Sequence, residues 1–267
     1  FADGAARQRQ ALTFDPGYLP AKIQLCHDLL RLGEETEAFE LASAIRTEDA
    51  YNIQAFNLGN LQKQIDAYHE EHTPRFTLKM PAREWPVYGP RALELLEEAH
   101  QTLCARYQLP LQRPVLVEFF PSQQDFAIRT FGNLGGQGIL GACFGSVVTM
   151  NSPGSLGHGR NNWESTLWHE FCHVVTLTAT HNRMPRWLSE GISVFEESQR
   201  DPAWGMAMTV DYRKMILDGE ATPVSRLSQA FLGAKSSDHL MLAYYQAGEV
   251  VAYIVKHHGQ DALQRII

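Results

Sequence analysis

His169, Glu170 and His173 spell H-E-x-x-H within NNWESTLWHEFCHVVTLTA, residues 161–179, whose apolar positions recur at helical spacing. A separation of four places both imidazoles on one helical face, one turn apart, where both reach a single ion. Glu170 projects about 100° round the axis, beside such an ion rather than onto it, the place of a base for a metal-activated water. Trp163, Leu167, Trp168, Phe171, Val174 and Val175 line the rest of the segment and predict a buried helix. Two histidines and a carboxylate on a buried helix carry a desolvation cost that a metal site accounts for. Asn161 or Asn162 is the candidate N-cap.

A catalytic zinc usually takes three protein ligands and keeps one position open, so a third ligand is expected from a neighbouring element. Downstream, MPRWLSEGISVFEE places Pro185 before a second apolar-periodic run, with Ser189 as a candidate cap and Glu190 in the first turn. Between His173 and Glu190 there is room for the end of one helix and a reversing loop. The two helices are therefore predicted to pack antiparallel, with Glu190 facing the histidine pair.

HEFCH followed by WLSEG resembles the gluzincin zinc metallopeptidases, most closely the peptidase-MA-like domains found beside tetratricopeptide repeats. The resemblance covers roughly residues 75–258. It implies an α+β, thermolysin-like catalytic domain with His169, His173 and Glu190 holding one zinc ion per chain and Glu170 as general base and proton shuttle. The longer H-E-x-x-H-x-x-G-x-x-H pattern does not fit, because Thr176 and Ala179 occupy its glycine and third-histidine positions. His181 is off that spacing and reads as a loop residue. Tyr245-Gln246-Ala247-Gly248 is similar to the family's Tyr-Glu-Lys-Gly segment, which implies Tyr245 as the hydrogen-bond donor to the oxyanion, with Tyr244 as the alternative. Gln246 and Ala247 depart from that pattern.

Metal-bound histidines usually donate their second ring nitrogen to a carboxylate or carbonyl. Glu197, two turns beyond Glu190, is the candidate for that contact, since Val194 holds the position four residues after the ligand. At least one of Glu196 and Glu197 is expected on a solvated face. Arg186 is a candidate for binding a substrate carboxylate.

The first 72 residues read as short helices joined by tight turns. Leu29 to Gly33, followed by Glu37-Ala38 and Leu41-Ala42, resembles a tetratricopeptide helix pair. The expected organisation is thus a helical segment over 1–72, able to dock a protein partner, and a peptidase-MA-like domain over 73–267. In the latter, RFTLKMP, PVLVEFFPS, ILGACFG and SVVTMNS read as strands, PRALELLEEAHQTLCARY and SQQDFAIRTFG as helices, and Ser122 as a cap. The stretch from Gly138 to Ser152 is the candidate for holding an extended peptide by strand addition. AWGMAMTVDYRKMILDG, PVSRLSQAFLG and the last helix complete a C-terminal lobe.

A formal charge of −7 without a compensating basic stretch argues against nucleic acid. No apolar run approaches the length of a membrane span. The four cysteines, Cys26, Cys104, Cys143 and Cys172, show no C-x-x-C spacing and read as buried thiols. The chain begins with Phe1 and reads as an excised region, so its compartment is left open. The expected activity is zinc-dependent peptide-bond hydrolysis; the alternative is a non-catalytic zinc-binding relative that binds peptides or proteins through its cleft and helical arm.

Overall fold

The computed structural model describes residues 1–136, 138–155 and 162–267, so the candidate cap Asn161 lies outside the described residues. The fold is mixed α+β, with twelve α-helices and one five-stranded sheet among the described residues. Two compact units emerge: Phe1–Glu94 with Gln112–Trp163, and Leu95–Leu111 with Glu164–Ile267.

The first unit begins with four helices, α1 (Ala2–Phe14), α2 (Leu19–Leu32), α3 (Glu35–Glu48) and α4 (Ile53–Ile65), each packed on the next. Gly33, at φ +81°, ends α2 in the left-handed conformation, and Glu34 N–H returns to the Leu29 carbonyl. That reversal lets Ala38 and Ala42 of α3 bury completely against α2. Leu25, Leu29, Ile45, Leu58 and Leu61 share their core with Phe120, Phe126 and Ile128 from beyond residue 72.

The sheet has the order β1-β2-β3-β5-β4. Strands β2 (Phe76–Pro81), β3 (Val115–Phe120) and β5 (Val147–Asn151) run parallel, while β1 (Tyr68–His72) and β4 (Gly141–Cys143) are antiparallel edges. The first edge was not foreseen: YHEEH carries charge on both faces and lacks the apolar alternation of a half-buried strand. Gly145, at φ +80°, turns β4 into β5. Helix α6 (Gln123–Phe131) starts on Ser122, whose hydroxyl accepts from Asp125 N–H as the sequence predicts. Glu118 and Arg129 meet at 2.6 Å, fully buried, without hydrogen-bond alignment. Burial pushes the Glu118 carboxyl up to about 8 despite the pull of Arg129.

Helix α5 (Trp85–Arg106) divides between the units and begins five residues before the expected start at Pro90. Pro90 lies in the second turn of α5, where the hydrogen bond that a backbone N–H would donate is given up.

The second unit adds α7 (Trp163–Ala179), α8 (Arg186–Arg200), α9 (Val210–Leu217), α10 (Leu227–Leu232), α11 (Ser237–His258) and α12 (Gln260–Ile266). The long helix expected over 203–219 is instead a 3₁₀ turn at Pro202–Trp204 and the short α9, because Thr209 caps a new start by accepting from Tyr212 N–H. Ser189 is no cap either: α8 starts after Pro185, and Ser189 is buried inside it. Within this unit α8 packs on α11, where Gly191 lies so close to Ala247 that an added Cβ would sit 2.5 Å from its carbonyl oxygen. None of the described helices is long and apolar enough to cross a membrane.

Candidate metal centre

Helix α7 buries Leu167, Trp168, Phe171, Cys172, Val174 and Val175, which fixes its rotation and turns His169 and His173 toward α8. The two helices are antiparallel, since Ser165 and His169 meet Glu197 while His173 meets Ser189. That arrangement carries Glu190 to the histidine pair across the loop in which His181 lies exposed at φ 51°.

His169 Nε2 and His173 Nε2 are 3.1 Å apart, and Glu190 Oε2 is 3.3 Å from each. Donor atoms bonded at zinc distances in a tetrahedral site lie about 3.3 Å from one another. The triangle therefore fits the edge length that one such cation requires, and these are the only three His, Cys, Asp or Glu residues grouped this way among the described residues.

Each imidazole is held from behind. His169 Nδ1 is 2.6 Å from Glu197 Oε1, and Ser165 donates to the other oxygen of that carboxylate. Glu197 thus occupies the place expected from its position two turns beyond Glu190. His173 Nδ1 lies 2.9 Å from Ser189 Oγ and 3.4 Å from Ser193 Oγ. The sequence reading missed both serines, although they flank Glu190 one turn apart on the same face. Neither acid of the 196–197 pair is solvated, contrary to expectation. Glu196 is fully buried and accepts from Tyr107 Oη at 2.6 Å and from Arg106, tying α8 to the end of α5.

Glu170 is buried beside the triangle but is not one of its three corners. Burial raises its carboxyl pKa, more than His173 and His169 lower it. Burial would raise Glu190 too, but the two histidines hold it well below the usual carboxylate range. For His169, burial opposes protonation and the hydrogen bonds to Glu190 and Glu197 prevail, so its pKa is raised.

The tyrosine pair divides differently from the first choice. Tyr244 faces the centre, with its ring 6.3 Å from that of His169, and burial raises its hydroxyl pKa against the pull of Arg186. Tyr245 instead lies tilted against Tyr212 at 5.4 Å and lines a cavity of about 50 Å³ with Val194, Phe195 and Met206. Successive helix residues diverge by about 100°, so only one of the two can face Glu190. Gln246, which departs from the family's pattern, pairs its amide with both backbone groups of Thr222. Arg186, considered for a substrate carboxylate, lies 3.3 Å from Glu190 Oε1.

Neither a curated protein nor a solved structure matches the chain. Residues 141–267, which carry the His169–Glu190 centre and begin later than the motifs suggested, match the family model described as the Peptidase MA superfamily.

Proposed function

We propose that the protein is a gluzincin-type zinc metallopeptidase, with one zinc held by His169, His173 and Glu190. The observation that carries this reading is the nearly equilateral triangle of donor atoms, 3.1, 3.3 and 3.3 Å on its sides. A bound zinc would supply Lewis acidity, lowering the pKa of a water and polarising the scissile carbonyl.

The chain's own residues do the rest. Glu170, dry and raised in pKa, takes the proton of the attacking water and hands it to the leaving amine. Glu197 and the serines at 189 and 193 keep Nδ1 of each histidine engaged, so that Nε2 points to the ion. Tyr244 takes the role first given to Tyr245, donating its hydroxyl proton toward the developing oxyanion. The strands from Gly138 to Ser152 are our candidate for holding an extended peptide. Residues 1–72 remain the proposed arm for a protein partner, and 73–267 the catalytic domain.

The test compares wild type with Glu170→Gln on a mixed peptide library, with zinc content measured in parallel. The variant is expected to keep about one zinc per chain and lose hydrolysis. Hydrolysis that survives the substitution sinks the base assignment, and a metal-replete wild type without zinc sinks the whole reading. A wild type that binds zinc and cleaves nothing in the library favours the binding-module alternative.

A further inference from the structure

Arg186 opens α8, one turn ahead of Glu190, with its side chain half exposed. Its contacts separate the two oxygens of one carboxylate. Nη2 reaches Glu190 Oε1 at 3.3 Å, while Oε2 of the same residue faces both histidines. The guanidinium also acts on Tyr244, countering the burial that raises its hydroxyl pKa. Arginine has donors only, so a hydrogen bond between the two is one the phenol oxygen accepts, which leaves the phenol proton free to point elsewhere. Phe231 fixes the geometry from below, 6.0 Å under the guanidinium and edge-on to Tyr244 at 5.0 Å.

We infer that Arg186 is a positioning residue acting on both halves of the site. It holds Glu190 by one oxygen so that the other alone is presented to the cation, and it occupies the acceptor side of Tyr244 so that the hydroxyl is presented as a donor to the substrate. The inference rests on the metallopeptidase reading and extends it to a residue outside the ligand set. A planar, multidentate donor suits this double contact; lysine reproduces the charge but not the fork.

The experiment uses the full chain and its Arg186→Gln and Arg186→Lys variants. Zinc affinity is measured by competition with a chromophoric chelator, and coordination by the visible spectrum of the cobalt-substituted protein. Melting of the chelator-treated proteins reports on folding. Arg186→Gln is expected to lose roughly tenfold or more in zinc affinity and to weaken the cobalt bands, as Glu190 turns both oxygens to the ion and the coordination number rises. Arg186→Lys is expected to recover most of the affinity while kcat stays depressed with KM little changed, because the tyrosine contact is not restored. A wild-type affinity and cobalt spectrum in Arg186→Gln overturn the inference. So does a loss in both variants that tracks a lowered melting temperature of the metal-free proteins. Failure of the wild type itself to bind zinc overturns the underlying metallopeptidase reading and this inference with it, and is told apart by that control.

Discussion

Glu197 Oε1 lies 2.6 Å from His169 Nδ1, while the matching nitrogen of His173 meets the hydroxyls of Ser189 and Ser193. The two histidines are therefore held unequally, one by a carboxylate and one by neutral partners. Charge-assisted hydrogen bonds are the stronger kind, so removing Glu197 should matter more than removing either serine. Glu197→Ala is expected to lower zinc affinity by about 10–100-fold, and Ser189→Ala by less. Chelator competition measures both, and a larger loss in Ser189→Ala would reverse the ranking.

Tyr244 and Tyr245 give a paired test. Tyr244→Phe should reduce kcat by about 10²–10³, the usual effect of removing one oxyanion donor, with KM nearly unchanged. Tyr245→Phe should leave kcat near wild type, because its ring sits with Tyr212 rather than His169. Steady-state kinetics on one cleaved peptide decides, and the opposite pattern returns the role to Tyr245.

Gly191 explains the glycine of WLSEG in physical terms. A Cβ there would stand 2.5 Å from the Ala247 carbonyl oxygen, so α8 and α11 would have to separate. Gly191→Ala should cost about 1–3 kcal/mol in denaturant unfolding. Because Glu190 is the adjacent residue, zinc affinity should fall as well. Stability and affinity both at wild-type values would show that the helices accommodate the methyl group.

His27 should make the first unit sensitive to acid. Burial, helped by the positive charge of Arg31, lowers its pKa from 6.5 to about 4. A histidine depressed on folding favours the native state fully above its unfolded pKa. As pH falls from about 6.5 the unfolded chain takes up the proton first, and the contribution is lost by about pH 4. The loss amounts to about 3 kcal/mol. Urea unfolding between pH 7.5 and 4 should therefore show a steeper decline in wild type than in His27→Gln. Parallel profiles would remove His27 as the cause.

The parts legible in the sequence are those that lie on single helices. The four-residue spacing of His169 and His173 fixes their shared face. The seven residues from Glu190 to Glu197 place both carboxylates along one line of α8. The strands β2, β3 and β5 announced themselves as apolar runs, and Ser122 as a cap. What stayed hidden depends on contact between elements remote in the chain. Glu196 looked like a surface acid until Tyr107 and Arg106, ninety residues upstream, were found bonded to it. Strand β1 became visible only through its pairing with β2, since its own residues carry no apolar face.

The sequence by itself thus determined that His169 and His173 share one face of α7 with Glu170 turned aside, because helical periodicity converts spacing directly into direction, whereas Glu190 on α8 was expected there from the family resemblance. Only the tertiary structure decided that Tyr244 rather than Tyr245 meets the centre, that Ser189 supports His173 instead of capping a helix, and that Arg186 lies against Glu190. These depend on how far each helix is rotated about its axis, which is set by close packing such as Gly191 against Ala247, and no local pattern encodes that angle.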